Sequence, residues 1–269
     1  MNLDKRLRSM DNQRKYAFDE AVLLYDKMRP TYVKPLFDDV IAFSQLGEGK
    51  RAIEMGVGTG QATLPFLQTG ASITAVELGE SLAQFTREKF AAYPNCEVIN
   101  QDFESVALEE NACDLFYCAS AFHWVPQEIG YPKVYRLLRH GGTMALFFNR
   151  PFPVSQTDPT HLALQAVYDK YWGKPEKPRP HQFVEADCAE ILEQIARYGF
   201  VDAQCKLYHA TRTFSAEAYV MLTGTYSDHI AMPKAKREAF NQELMDAIDG
   251  SGGTCTLHDT IDLYLARRP

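Results

Sequence analysis

Between about residues 51 and 149 the chain alternates two hydrophobic periods. Short apolar runs at Arg51–Met55, Ser72–Glu77, Glu97–Gln101, Asp114–Cys118 and Thr143–Phe148 read as strands, and helical stretches separate them. Residues 81–92 open on Ser81, turn Leu82, Phe85 and Phe90 inward and stop before Pro94. Residues 127–140 place Val134, Leu137 and Leu138 on one face and end at Gly141-Gly142. The helix after Gly60 contains Pro65, which the first turn tolerates because N–H groups there have no intrahelical partner. Alternating β and α units predict an α/β fold: a parallel sheet with right-handed crossovers and helices on both faces.

The flanks follow another rhythm. Residues 16–45 are amphipathic and helical, broken at Arg29-Pro30. A helix near 159–172 ends in Tyr168, Tyr171 and Trp172 and leads into a stretch with Pro175, Pro178 and Pro180. Then come a helix over 185–198 before Gly199, a strand over 203–212, helices over 215–226 and 233–248, a Gly250–Gly253 turn and a strand over 256–266. The expectation is one domain over 1–269. Its parts are an N-terminal helical segment (16–45), a core (46–150), a lid insertion (151–183) and a C-terminal part of the sheet (184–269) carrying a helical insertion (213–249).

Composition narrows the partners. At 46% hydrophobic and 23% charged the chain resembles an ordinary globular protein. A net charge of −7 argues against nucleic acid, whose binding depends on Lys and Arg neutralising phosphates. Lys5, Arg6, Arg8, Arg14 and Lys15 form a local basic patch that Asp4 and Asp11 interrupt, and it reads as a solvated arm. No apolar run approaches the ~20 residues that span a bilayer, and no secretory signal is visible. Six cysteines without a CxxC pair or zinc-like His spacing read as buried thiols in a reducing, cytoplasmic setting, with no metal site. The oligomeric state is left open.

Candidate chemistry begins at Glu54-Met55-Gly56-Val57-Gly58-Thr59-Gly60, a glycine-rich strand-to-helix turn where backbone approaches a ligand closely. The spacing is G-x-G-x-G with Gln61 next, which departs from the dinucleotide pattern. Glu54 at the loop's mouth would repel a pyrophosphate but suit a ligand carrying sulfonium and ammonium cations, favouring S-adenosylmethionine (SAM) over NAD. Glu77, ending the second strand, is placed to accept both ribose hydroxyls of an adenosyl ligand. Asp102, beside Phe103, is placed to receive an adenine amino group. Each acid alone has a second reading as a helix cap or a solvated loop end.

Ile53–Gly60 resembles motif I of class I SAM-dependent methyltransferases, Ala75-Val76-Glu77 their acidic motif II, and Gln101-Asp102-Phe103 their adenine-contacting motif. Cys113–Cys118 with Ala119–Trp124 is similar to the fourth-strand region. Leu137–Gly142 resembles the L-x-P-G-G segment, with His140 in place of proline. Tyr25–Tyr32 resembles the Y-D-x-x-R-P-x-Y-P entry of the trans-aconitate and ubiquinone-biosynthesis-like branch, with Val33 where proline is usual. The resemblance covers residues 16–150. It implies a Rossmann-like seven-stranded sheet of order 3-2-1-4-5-7-6 with the last strand antiparallel. It also implies Tyr25 and Arg29 near the methionine carboxylate, cofactor contacts at Leu78 and Ala119, and the sulfonium above Ala119–Trp124.

Methyl transfer needs alignment and a dry site more than a nucleophilic residue. His123 reads either as a base or acceptor-positioning donor, or as a histidine satisfied by a backbone carbonyl. Trp124 reads as a pocket wall or as packing under the adenine. On the acceptor side stand Tyr171 and Trp172 in the lid segment, which read equally as a packed helix end, and Tyr226 with His229. The acceptor expected is a small molecule.

Overall fold

Parallel strands covered on both faces are hydrophobic at every position, and the fourth strand, Cys113-Asp114-Leu115-Phe116-Tyr117-Cys118-Ala119, shows the rule and its one exception. Asp114 is buried there only because Lys50 and Arg139 pair with it, at 3.2 and 2.6 Å, and the Arg51 N–H donates to it. The computed structural model describes residues 22–153, 155–173 and 181–269; the basic patch of the first residues and Pro175, Pro178 and Pro180 lie outside the described residues.

The strands are β1 (Arg51–Met55), β2 (Ser72–Glu77), β3 (Cys96–Asn100), β4 (Cys113–Ala119), β5 (Leu138–Pro153), β6 (Val201–Ser215) and β7 (Thr254–Arg267). They form one sheet of order β3-β2-β1-β4-β5-β7-β6. β3, β2, β1, β4 and β5 pair in parallel, with Ile53 opposite Thr74 on one side and Phe116 on the other. β7 runs against its neighbours. Gly141 and Gly142 at the start of β5 exchange bonds with Arg268 beyond its end, and Thr211 and Thr213 of β6 meet His258 and Thr256 in descending order.

The helices are α1 (residues 22–28), α2 (Lys34–Ser44), α3 (Thr63–Leu67), α4 (Glu80–Lys89), α5 (Gln127–Leu137), α6 (Pro159–Trp172), α7 (Ala189–Arg197), α8 (Ala216–Thr223), α9 (Ser227–Ile230) and α10 (Lys234–Asp249). Several boundaries differ from expectation, and two of the differences have a visible cause. α5 stops at Leu137, and Gly141-Gly142 belongs to β5, where its backbone pairs with Arg268 instead of closing a helix. α4 begins at Glu80 on a Gly79 cap and buries Ala83 and Thr86, leaving Leu82 and Phe85 half-buried. The cause is Thr86, whose hydroxyl donates to the Gly58 carbonyl at 2.7 Å and turns that stripe toward the loop.

The chain divides into two compact units. The core unit comprises Pro30–Arg150, Phe183–Tyr208 and Thr260–Pro269. Alternate residues of its strands feed two clusters: Ile53, Phe116, Cys118 and Leu146 pack with Val134, Leu137 and Ile195, whereas Leu115, Tyr117 and Phe147 pack with Leu36, Phe37 and Phe66. Cys188 and Cys205, expected as separate thiols, are joined by a disulfide, their Cα atoms 6.4 Å apart where the turn Glu185–Cys188 meets β6. Cys96, Cys113, Cys118 and Cys255 are free.

The helical unit comprises residues up to Arg29, Pro151–Gln182 and His209–Asp259. Its own core gathers Leu164, Val167, Tyr219, Phe240, Leu244 and Ile248. No described helix is long and apolar enough to cross a membrane.

Candidate functional site

The loop after β1 is held from both ends. The Gly56 N–H donates to Val76 O at 2.8 Å, and Gly60 N–H closes a turn on Val57 O at 2.9 Å. Gly60 has φ +81°, and a Cβ there would stand 2.3 Å from the Phe90 ring; at Gly56 a Cβ would stand 2.6 Å from Ala121 Cβ. These two glycines are required by close packing of the loop on its own unit.

Glu77 ends β2 with both oxygens engaged: Oε2 accepts from Gly58 N–H at 2.8 Å and Oε1 from Gly79 N–H at 2.9 Å. The carboxylate is thus locked at the loop with lone pairs to spare for further donors. Asn100, which carried no signal in the sequence, donates to the carbonyls of Glu77 and Leu78 at 2.9 and 3.0 Å and fixes the turn that follows. Leu78 is 72% exposed, an unusual position for a large apolar side chain.

Glu54 departs from expectation. It is 1% exposed and lies beneath the loop, where Thr63 and Tyr117 hydroxyls both donate to its Oε2 at 2.7 Å. Burial pushes its carboxyl up to about 7, against the lowering effect of those two bonds, and the Glu77 charge adds to the rise. Phe103 also differs: it is buried and packs against Phe116 at 5.5 Å, so the apolar group open at this edge is Leu78. Asp102 is half-buried and takes a turn bond from Glu104 N–H at 3.2 Å. Lys133, unnoticed in the sequence, pins the segment by donating to Glu104 O and Val106 O.

At the end of β4, Ala119 leads into Ser120, a non-glycine residue at φ 56°. Left-handed backbone costs a non-glycine residue about 1–3 kcal/mol and persists where surroundings over-determine it. Here Tyr32 OH lies 3.0 Å from Ser120 Oγ, and Asn149 N–H donates to the same oxygen at 3.1 Å. His123 and Trp124 follow in the 3-10 turn Phe122–Trp124. The His123 ring lies 4.9 Å from Trp124 and 6.4 Å from Phe148, without a hydrogen bond among the described residues. Partial burial, then the nearby Arg150 charge, lower its pKa, so the imidazole is neutral at pH 7. Trp124 is 70% exposed and packs under nothing in its unit.

The remaining predicted residues belong to the helical unit. The Arg29 guanidinium lies over the rings of Tyr25 and Tyr226, at 4.8 and 5.0 Å, and donates to Thr225 O at 2.7 Å, while its buried Nε has no hydrogen-bond partner among the described residues. Tyr171 donates to Glu243 at 2.7 Å, and Trp172 packs on Phe240, Tyr168 and the buried His229. Neither Tyr171 nor Trp172 lines the cavity of about 220 Å³ in this unit; Tyr168, Tyr219 and Tyr226 do. Among the described residues no cluster of His, Cys, Asp or Glu is fit to hold a metal ion.

Comparison with known proteins places this geometry. Residues 53–146 match the family model described as a methyltransferase domain, which spans β1 to the middle of β5. An uncharacterised methyltransferase-like protein of Schizosaccharomyces pombe is 26% identical over 229 residues, covering 85% of this chain and 84% of that protein. Among solved structures, phosphoethanolamine N-methyltransferase 2 of Haemonchus contortus, in complex with phosphomonomethylethanolamine and S-adenosylhomocysteine, superposes with a TM-score of 0.54 at 13% identity. It covers 93% of this chain and 57% of that one. The [4+2]-cyclase SpnF superposes with a TM-score of 0.52 at 15% identity, over 90% and 84% of the two chains. The sheet is that of the Rossmann-like methyltransferase fold, and the stretch from Ile53 to Leu146 is similar to a methyltransferase domain.

Proposed function

We propose that this protein transfers a methyl group from SAM to a small-molecule acceptor. The observation that carries the reading is Glu77, a carboxylate held by two backbone N–H groups at the end of β2, beside the exposed Leu78. That pair suits an adenosyl ligand: the carboxylate accepts ribose hydroxyls and Leu78 offers an apolar surface to the adenine. Glu54, half-protonated near neutrality, suits a ligand that brings positive charge to the loop. Asp102 is the proposed acceptor for the adenine amino group. Tyr25 and Arg29 are candidates for the methionine carboxylate on the strength of their motif alone. Their motif supports the trans-aconitate and ubiquinone-biosynthesis-like branch.

SAM supplies a methyl group on a good leaving group, so the protein's share is binding, alignment and exclusion of water. His123, neutral at pH 7, is suited to accept an acceptor's proton or to position it. The net charge of −7 favours a small molecule over RNA as acceptor. A second reading is SAM binding without methyl transfer, since a fold alone does not fix a reaction and a [4+2]-cyclase shares this one. Release of S-adenosylhomocysteine separates the two.

The test is calorimetry with SAM and NAD on the wild type and on Glu77→Ala. SAM should bind and raise the melting temperature, and NAD should not. Glu77→Ala should weaken SAM roughly 10- to 100-fold, since a hydrogen bond to a charged group is worth about 1.5–3 kcal/mol. Tight NAD binding with no SAM binding would overturn the reading; unchanged SAM affinity in the variant would move the ribose elsewhere.

A further inference from the structure

The cavity of the helical unit has a chemistry that the cofactor site does not share. One stripe of α6 faces it: Asp158, His161, Leu164, Gln165 and Tyr168 recur at helical spacing. Tyr219, Tyr226, Cys255 and Leu257 complete the wall opposite in sequence. Among the described residues no lysine or arginine lines it, and Asp158 is the one carboxylate. That carboxylate is fixed, because its Oδ1 caps α6 by accepting the His161 N–H at 2.8 Å.

We infer that this cavity binds a small cationic amine with an apolar body, its ammonium received by Asp158 and the three tyrosines. An anion would enter a site whose described lining holds a carboxylate and no lysine or arginine, which Coulomb repulsion and lost hydration both oppose. An ammonium gains a counter-charge from Asp158, acceptors from the phenol oxygens, and attraction to electron-rich rings. Burial raises the pKa of Tyr168, Tyr219 and Tyr226, which keeps them neutral phenols. The same effect pushes the Cys255 thiol up to about 11, so it lines the wall as a small apolar group and not as a nucleophile. Leu164 and Leu257 are left to cover the ligand's apolar part. The guanidiniums near Tyr226 do not reverse this preference. Arg212 is matched by a bidentate pair with Asp259, and neither it nor Arg29, which lies over the Tyr25 and Tyr226 rings and donates to Thr225 O, is among the described lining residues.

The test uses three probes with one ring and three charges: phenethylamine, 2-phenylethanol and phenylacetate. Their affinities for the full chain are measured by calorimetry or ligand-observed NMR, beside that of S-adenosylhomocysteine. Phenethylamine should bind at least ~10-fold more tightly than the alcohol, with phenylacetate weakest, as expected of one charge-assisted bond. Asp158→Asn should remove that preference while the fold survives, because Asn caps a helix about as well as Asp. Gln165→Trp, which fills the cavity from a half-buried position, should abolish binding of all three. Equal affinities, a preference for phenylacetate, or an amine preference that outlasts Asp158→Asn would each overturn the inference. The inference does not depend on the methyltransferase reading: loss of S-adenosylhomocysteine binding would sink that reading and leave this one standing.

Discussion

The glycine loop of the core unit and the cavity of the helical unit are both ligand-sized features, yet opposite kinds of group build them. At the loop the partners are backbone: N–H groups of Gly58 and Gly79 on Glu77, and carbonyls of Glu77 and Leu78 on Asn100. At the cavity they are side chains from the end of β5, α6 and its cap, α8, the turn after it and β7, gathered from positions as far apart as 151 and 257. Backbone geometry demands particular residue types at fixed spacing, glycine above all. A cavity wall asks only for suitable volume and polarity. The loop is therefore rigid toward substitution and the cavity free to change its ligand.

That contrast is sharpest at glycine. Gly60→Ala combines left-handed strain with a methyl group against Phe90, whereas Gly253→Ala, at φ +76° with nothing within 4 Å, carries strain alone. Strain and overpacking together should cost roughly 2–6 kcal/mol at Gly60, lowering the melting temperature on the order of 10 °C and weakening SAM with it. At Gly253 the loss should stay near ~1 kcal/mol. Thermal unfolding of the two variants decides. Equal losses would mean that the loop has no special rigidity.

The same contrast explains what was legible. The alternation of short apolar runs and amphipathic helices follows from chain-local periodicity, so β1 and β2 were readable, whereas the sheet order followed only from the resemblance to the methyltransferase family. Gly141-Gly142 misled because a glycine pair closes a helix or opens a strand with equal ease, and the deciding partner, Arg268, lies at the far end of the chain. Glu54 misled in another way: its place in the motif is local, but its burial depends on Thr63 and Tyr117. Ser120 gave no sign at all, since its backbone is imposed by Tyr32 and Asn149. The helix near 159–172 was readable, but the face formed by Asp158, His161, Gln165 and Tyr168 was not, because the tyrosines it meets come from α8 and the turn after it.

Glu54 also makes the loop sensitive to pH. Its carboxyl is raised to about 7 in the folded chain, whereas an unfolded Glu titrates near ~4.3. The folded state therefore holds more protons than the unfolded one between those values. Stability from this group is greatest below the unfolded value and falls as pH rises toward 7. At about 1.4 kcal/mol per pKa unit the loss is on the order of 3 kcal/mol, with little change above. Glu54→Gln keeps an acceptor for Thr63 and Tyr117 and has no charge. Denaturant unfolding from pH 5 to 8 should show a shallower decline for the variant. Saturating SAM should flatten the wild-type slope too, because its cations would draw the carboxyl back down. Parallel curves for wild type and variant would place the titration elsewhere.

The smallest effects on stability belong to the 3-10 turn after β4, where His123 and Trp124 are exposed and make only ring contacts. Surface substitutions of this kind usually stay within about 0.5 kcal/mol. His123→Ala and Trp124→Ala should therefore melt close to wild type and bind SAM within a few-fold of it. Function should separate them. If His123 accepts or positions the acceptor's proton, His123→Ala should lower turnover by ~10²-fold, a typical contribution of a general base. The wild-type rate should rise with pH through an apparent pKa below the ordinary imidazole value of about 6.5, because burial and Arg150 favour the neutral ring, and that limb should vanish in the variant. Trp124→Ala should raise KM and spare kcat if the indole only walls the acceptor. Unchanged turnover in His123→Ala would leave alignment as the whole of the catalysis, and the core unit would then need no titrating group beyond those that hold its cofactor.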